Sequence, residues 1–466
     1  MSSLCSRRVV TTLLVLFFCR PPAAAADVVR ILDSNWEAAQ ARIDLIEQAR
    51  TEIVLSYYSI ANDKLAAMYL SLLRDAAQRG VAVRLVIDAM HNHIPSQVQE
   101  ELLRVGVRIK EYHTLECKRP GWINRRLHDK LLLIDRAEMI IGSRNLDERH
   151  FGLAKVKRHL GIPTRTRYID RDVYVKGRSA EQAGNYFDCL WSSAEVRDTR
   201  LKDPLLQSLI QDDKLEFDRL GNCAHAPVGQ CRCCQGAAWL AAATPIVVDC
   251  QPLLRGTWID WSAREVDVGC VDFLFDPKGR KHHPEGISPR IHELIEQAQH
   301  SVFLESPYFT LSTTLKQVIR DARARGVAVR IMTNSLASTD QILVYAGYSN
   351  QKRFLLNEGV ELWEYTGPAR FHAKSALIDG SIAMVGSYNF DPRSEHLNTE
   401  LAVVVYDPDF VGLLTASIAE NMGHAHYIRP DGRAGPQRIH HPGATRAKIL
   451  ALQPMRIFAP IIRRSL

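Results

Sequence analysis

Past its first residues this 466-residue chain has no hydrophobic run long enough to cross a bilayer. The longest, Val9 to Phe18, has ten residues, about half of the ~20 that a hydrocarbon core of ~30 Å demands. Arg7 and Arg8 precede it and Ala23 to Ala26 follow it. That is the layout of a basic n-region, an apolar h-region and a small-residue cleavage zone, so residues 1–26 read as an export signal. Paired C-x2-C spacing is also missing. Cys223, Cys231, Cys233 and Cys234 run as C-x7-C-x-C-C beside His225, and disulfides or free thiols in a surface loop suit that spacing better than zinc. The eight cysteines left after cleavage are compatible with an oxidising compartment. No carboxylate cluster or histidine triad suited to a catalytic metal is legible, so chemistry without metal or cofactor is expected. Neither sign of charge dominates. The +7 balance mildly favours anionic partners and does not choose between acidic lipid headgroups and nucleic acid.

What is present is a repeat. IEQARTEIVLSYYSI at 46–60 matches IEQAQHSVFLESPYF at 295–309, RGVAVRLVIDA at 79–89 matches RGVAVRIMTNS at 325–335, and LLRVGVRIKEY at 102–112 matches LLNEGVELWEY at 355–365. Short β-rich runs alternate with helical patterns such as KLAAMYLSLLRDAAQ. This predicts an α/β fold whose halves each carry a largely parallel, two-sided sheet. The expected division is a signal at 1–26, a first half at 27–200, a linker with the Cys-rich insert at 201–285, a second half at 286–423 and a tail at 424–466. The tail ends ILALQPMRIFAPIIRRSL, a basic and apolar mixture that suits a membrane interface. A packed or unordered tail is the other reading, since Pro454 and Pro460 oppose a long helix.

Each half closes on the same run. His128, Lys130 and Asp135 form H-x-K-x4-D, as do His372, Lys374 and Asp379. In both copies a Gly-Ser pair (Gly142 and Ser143; Gly386 and Ser387) begins fourteen residues after the His, with an Asn (Asn145; Asn389) three beyond the Gly and an Arg (Arg149; Arg393) four beyond that. Strand side chains alternate, so His and Lys two apart share one face. A phosphodiester is an anion with a poor leaving group. Its cleavage calls for a nucleophile, neutralisation of the phosphoryl oxygens and a proton for the departing alkoxide. Two imidazoles, two ammoniums and two amides supply those parts.

These residues resemble the phospholipase D superfamily, whose signature is H-x-K-x4-D followed by G-S-x-N. ASTDQILVYAGYSNQKRFLLNEGVELWEY, NFDPRSEHLNTE and INRRLHDK are similar to the short class of bacterial cardiolipin synthases. The resemblance implies two phospholipase D-like halves about a pseudo-two-fold axis, with one active site at their interface and a single chain completing it. It implies that His128 attacks phosphorus to form a phosphohistidine, and that His372 protonates the leaving alcohol and deprotonates the incoming one. Lys130, Lys374, Asn145 and Asn389 would bind phosphoryl oxygens, with Ser143 and Ser387 supporting the turn and donating to the substrate site. Asp172 and Glu400 would be the carboxylates that orient the histidines, and Asp135 and Asp379 would hold the catalytic loops. The implied activity is phosphatidyl transfer to phosphatidylglycerol at an anionic membrane, without nucleic acid. Hydrolysis to phosphatidic acid and a nuclease of the same superfamily are the alternatives. The export signal would put the protein in the periplasm or on the periplasmic face of the inner membrane.

Overall fold

The computed structural model describes residues 26–113, 124–153, 158–159, 162–163, 167–199, 238, 240, 260–276, 286–435 and 440–460. The apolar run Val9 to Phe18, read as part of an export signal, and the cysteine cluster lie outside the described residues. Cys189 and Cys270 are exposed free thiols.

Two sheets of like construction form the frame. The first has nine strands in the order Val196–Asp198, Arg108–Tyr112, Ala82–Asp88, Glu52–Tyr57, Lys130–Ile134, Glu138–Gly142, Asp172–Lys176, Asp27–Leu32 and Val266–Val268. The second has eight: Val271–Phe275, Leu401–Val405, Ile382–Gly386, Ser375–Ile378, Ser301–Glu305, Ala328–Asn334, Glu361–Tyr365 and Ala425–Ile428. In each sheet only the three strands joined by helical crossovers run parallel, Glu52–Tyr57 through Arg108–Tyr112 and Ser301–Glu305 through Glu361–Tyr365. The catalytic strands and those beyond them pair antiparallel. The expected largely parallel sheet is therefore a mixed one. Helical crossovers enforce parallel pairing, and the hairpins that follow them cannot.

Two further corrections concern boundaries. Residues 266–275, placed in the linker, supply an edge strand to each sheet. Ala425–Ile428, placed in the tail, closes the second sheet against Glu361–Tyr365. The tail then forms a helix, Arg446–Phe458, through Pro454. Leu452 is buried there, and Lys448 Nζ donates to the carbonyls of Leu336, Ala337 and Thr339.

Alternation sorts each strand between two cores. Leu132 and Ile140 face the helices Asn35–Gln48, Lys64–Gln78 and Ser96–Arg104. Leu131, Leu133 and Ile141 face the other half, packing in one cluster with Val385, Val403 and Val405. Helices Arg178–Trp191 and Pro408–Met422 contribute Phe187, Phe410 and Leu414 to that shared core. No described helix is long and apolar enough to cross a membrane.

The halves are also stitched by short parallel pairings. Arg126–Leu127 runs beside Asn398–Thr399, and Tyr168–Ile169 runs beside Arg370–Phe371. His128 N donates to Thr399 O at 3.2 Å and His372 N to Ile169 O at 2.8 Å. Each motif histidine is thus anchored, through its own backbone, to the opposite half.

Candidate active site

That stitching decides which carboxylate meets which histidine. His128 Nδ1 lies 2.9 Å from both oxygens of Glu400, in the other half. His372 Nδ1 lies 2.6 Å from Asp170 Oδ1, also across the seam. With Nδ1 donating to a carboxylate, each ring leaves Nε2 free for chemistry. Lys130 Nζ donates to the carbonyl of His128 at 2.7 Å and Lys374 Nζ to that of His372 at 2.6 Å. These four side chains are buried or nearly so.

The expected partner Asp172 is not at a histidine. It accepts from Arg42 at 2.8 Å, Arg144 at 3.1 Å and the backbone N–H groups of Ser143 and Arg144 at 3.0 and 3.1 Å. It anchors the Gly-Ser corner. The repeat shows why the position shifts: Gly142 is paired with Asp172 and Gly386 with Ala402, so Glu400 corresponds to Asp170. The glycines have a steric cause as well. A Cβ on Gly142 would lie 2.5 Å from Asp172 Cα, and one on Gly386 would lie 2.7 Å from Ala402 Cα.

Ser143 and Ser387 do not face an open site either. Ser143 Oγ donates to Asp170 at 2.7 Å and Ser387 Oγ to Glu400 at 2.5 Å, each steadying the carboxylate that holds the other half's imidazole. Asn145 and Asn389 are buried, and the Oδ1 of each lacks a hydrogen-bond partner. An amide so placed has hydrogen-bonding capacity in hand for a ligand.

Asp135 and Asp379 stand apart. Five residues of strand beyond its lysine put each about 16 Å along the chain from it. Asp135 accepts from the N–H groups of Arg50, Thr51 and Glu52, and Asp379 from those of Gln299, His300 and Ser301. Both sit at φ near +50°, in hairpin turns where Asp tolerates the left-handed conformation. They fix the strand that follows each motif lysine to the start of its neighbour, and neither touches the motif histidines.

Several residues at the site escaped the sequence reading. Asp170 is the first. His150 is the second: its Nδ1 lies 2.8 Å from Asp170 Oδ2, its ring stacks on Tyr168 at 4.4 Å, and it lies 5.0 Å from the His372 ring. His150, Asp170 and His372 bring ligand-type atoms within 4.8 Å of one another, a grouping not foreseen. Contacts of 2.6 and 2.8 Å are hydrogen-bond lengths, shorter than the spacing of donors spread tetrahedrally around an ion. Beside His128, the Tyr58 ring lies edge-on at 5.0 Å and its hydroxyl reaches His91 Nε2 at 2.8 Å.

Burial and the two ammoniums govern protonation. Burial, then Lys130 and Lys374, push His128 well below the usual histidine range. Burial and Lys374 bring His372 to about 3 against the pull of Asp170. Lys374 belongs to the opposite half from His128, so its field marks one shared site. Burial lowers Lys130 to about 7 and Lys374 to about 8. Burial raises Glu400 to about 7, although Lys130 and hydrogen bonds from Ser387, Ser394 and Asn398 oppose it. Burial pushes Asp170 up too, yet His150 and His372 hold it well below the carboxylate range. Such a site wants an anion. A phosphodiester between the ammoniums would favour charged lysines and an imidazolium.

Comparison with known proteins shows the family and the fold. The family described as the PLD-like domain of cardiolipin synthase matches residues 43–157 and 291–422, more than half of the chain and one stretch in each half. Cardiolipin synthase C of Escherichia coli is 28% identical over 407 residues, covering 80% of each chain. Cardiolipin synthase A of Pseudomonas syringae is 26% identical over 438 residues, covering 92% of this chain and 76% of its own. The crystal structure of phosphatidylserine synthase from Haemophilus influenzae superposes with a TM-score of 0.63 at 16% identity, over 94% of this chain and 95% of that one, a likeness of fold.

Proposed function

This chain belongs to the phospholipase D-like family of the cardiolipin synthases, and from that premise we propose that it transfers a phosphatidyl group to the glycerol hydroxyl of phosphatidylglycerol. The observation that carries the chemistry is the pair of buried imidazoles, each tied at Nδ1 to a carboxylate of the other half. In this reading His128 Nε2 attacks phosphorus while the P–O bond to the leaving alcohol breaks. His372 supplies that alcohol its proton, then removes one from the incoming hydroxyl as the phosphorus–nitrogen bond breaks. Glu400 steadies the positive ring of the phosphohistidine. Lys130, Lys374 and the amides of Asn145 and Asn389 hold the non-bridging oxygens. Burial and the neighbouring ammoniums suit the first step, since a neutral His128 keeps its Nε2 lone pair. The substrate anion then provides the charge that makes an imidazolium at His372 affordable.

Identity to the cardiolipin synthases supports transfer, and a signal at 1–26 would have it work on the periplasmic leaflet. Purified protein incubated with labelled phosphatidylglycerol, with and without phosphatidylethanolamine, tests this. Cardiolipin is the expected product. Phosphatidic acid alone would replace transfer with hydrolysis, and His128→Ala or His372→Ala retaining turnover would overturn the shared-site chemistry.

A further inference from the structure

The two halves build their carboxylate shells alike at the corner serine and differ at two positions. Asn398 donates to Glu400 at 3.1 Å where the first half has Tyr168, and the other difference sets an imidazole against a hydroxyl. Eight residues beyond the glycine of the corner, the second half has Ser394 and the first has His150. Both lie on a short turn capped by an aspartate: Asp391 accepts from Ser394 N and Asp147 from Arg149 N, each at 2.8 Å. Ser394 Oγ donates to Glu400 at 2.6 Å, and His150 Nδ1 meets Asp170 at 2.8 Å. The Ser394 hydroxyl then accepts only from the backbone N–H of Asn389, at 3.2 Å, whereas an imidazole has a second nitrogen that can reach a side chain. His150 Nε2 lies 3.3 Å from Asn145 Nδ2. An amide NH2 only donates, so Nε2 accepts there and Nδ1 donates to Asp170. Stacking against Tyr168 and burial fix its plane.

We propose that His150 is a positioning residue of the reaction centre, joining the carboxylate that holds His372 to the amide of Asn145. This rests on the reading of His372 as the proton carrier and goes beyond it. In the second half Ser394 reaches the backbone of Asn389 and not its side chain, so the link from carboxylate to asparagine side chain belongs to the leaving-alcohol side alone. The charged and titratable groups facing this pair are Asp170, Lys374, Asp147, Arg149, Tyr168 and Asp340.

The test uses the full chain with His150→Ala, His150→Ser and His150→Asn, the last keeping a donor where Nδ1 stands. Two reactions are followed across pH: phosphatidyl transfer from phosphatidylglycerol, whose alcohol needs a proton to leave, and the nitrophenol burst from a p-nitrophenyl phosphodiester, whose leaving group does not. His150→Ala should lower kcat for transfer roughly 10- to 100-fold, the scale of a small misplacement, with KM unchanged and the pH profile shifted. The burst should fall by clearly less, through Asn145 alone, and His150→Asn should recover most of the loss. Equal losses in both reactions, a superimposable pH profile, or Asn no better than Ala would overturn the proposal. If the alanine variant fails to fold, Ser against Asn makes the same comparison. His128→Ala leaving the burst intact would instead sink the underlying chemistry, whatever His150 does.

Discussion

Asp170 and Asp172 are two residues apart, both buried, and assigned opposite work, so replacing each by Asn separates chemistry from stability. Asp170 accepts from His372, His150 and Ser143 at 2.6, 2.8 and 2.7 Å. An amide there has one oxygen for these donors, and its NH2 faces a ring N–H. To relieve that clash His372 would turn to the other tautomer, with its proton on Nε2 and no carboxylate behind it. Turnover should fall roughly 10²–10⁴-fold, the loss expected when a general acid or base is removed. The fold should lose only about 1–3 kcal/mol, the cost of an imperfectly satisfied buried group. The charge matters to stability in a known direction. Its carboxyl is held below the ordinary range, so the contribution is present at neutral pH and is lost only as acid protonates the folded form. Asp172→Asn is the reverse case. It strands the guanidiniums of Arg42 and Arg144, which are 1% and 0% exposed, and breaking such a pair costs about 3–5 kcal/mol. Its melting temperature should drop further while turnover per folded molecule falls less than in Asp170→Asn. Calorimetry and single-turnover trapping of the phosphohistidine read the two effects. An active Asp170→Asn, or an Asp172→Asn that melts normally yet is dead, would refute the assignment.

Gly386→Ala should destabilise by more than the usual 1–3 kcal/mol of overpacking, because its Cβ would meet backbone atoms of Leu401 and Ala402; a variant with an unchanged melting temperature would contradict the close approach. Asp276 is raised to about 8, chiefly by burial, and its Oδ2 lacks a partner. From about pH 4 to 8 the folded chain therefore keeps a proton that the unfolded chain has released, and stability falls as pH rises. Melting curves should show Asp276→Asn gaining on wild type across that window, and a pH-independent gap would count against it. Leu450, Ile457 and Phe458 are 73%, 72% and 59% exposed on the last helix. Replacing all three by Ser should weaken association with phosphatidylglycerol vesicles tenfold or more without changing the melting temperature, given ~0.8 kcal/mol per buried CH₂; unchanged vesicle flotation would remove the tail from membrane binding.

The repeat made half of this legible. A fixed fourteen-residue offset from His to Gly, twice over, can be read from one sequence, as can the buried LLLI strand after Lys130. The antiparallel turn after that strand was harder to see. It places Arg136 as well as Asp135 at positive φ, and Arg is a poor turn signal. Asp170 was hidden by Arg171. A charged residue there makes the strand seem to start at Asp172, yet this guanidinium is buried and reaches Ser375, Ser417 and Glu305 of the other half. Its partners lie more than a hundred residues away, where no local pattern could indicate them.

The same distance explains why motif spacing does not say which histidine each carboxylate orients. Periodicity and motif spacing describe one half at a time, whereas the pairing is set by two parallel backbone pairings across the seam. Thr399 accepts from His128 N through both its carbonyl and its hydroxyl, and that hydroxyl also meets Asp129 Oδ1 at 2.6 Å. The residue just before Glu400 thereby locks the loop of the opposite half. Exchanging carboxylates in this way makes docking of the halves a condition of catalysis. An undocked half keeps its lysine and its Gly-Ser corner but loses the group that fixes its imidazole. A reactive nitrogen is then assembled only where the second imidazole, the second ammonium and the shared apolar core are already in place.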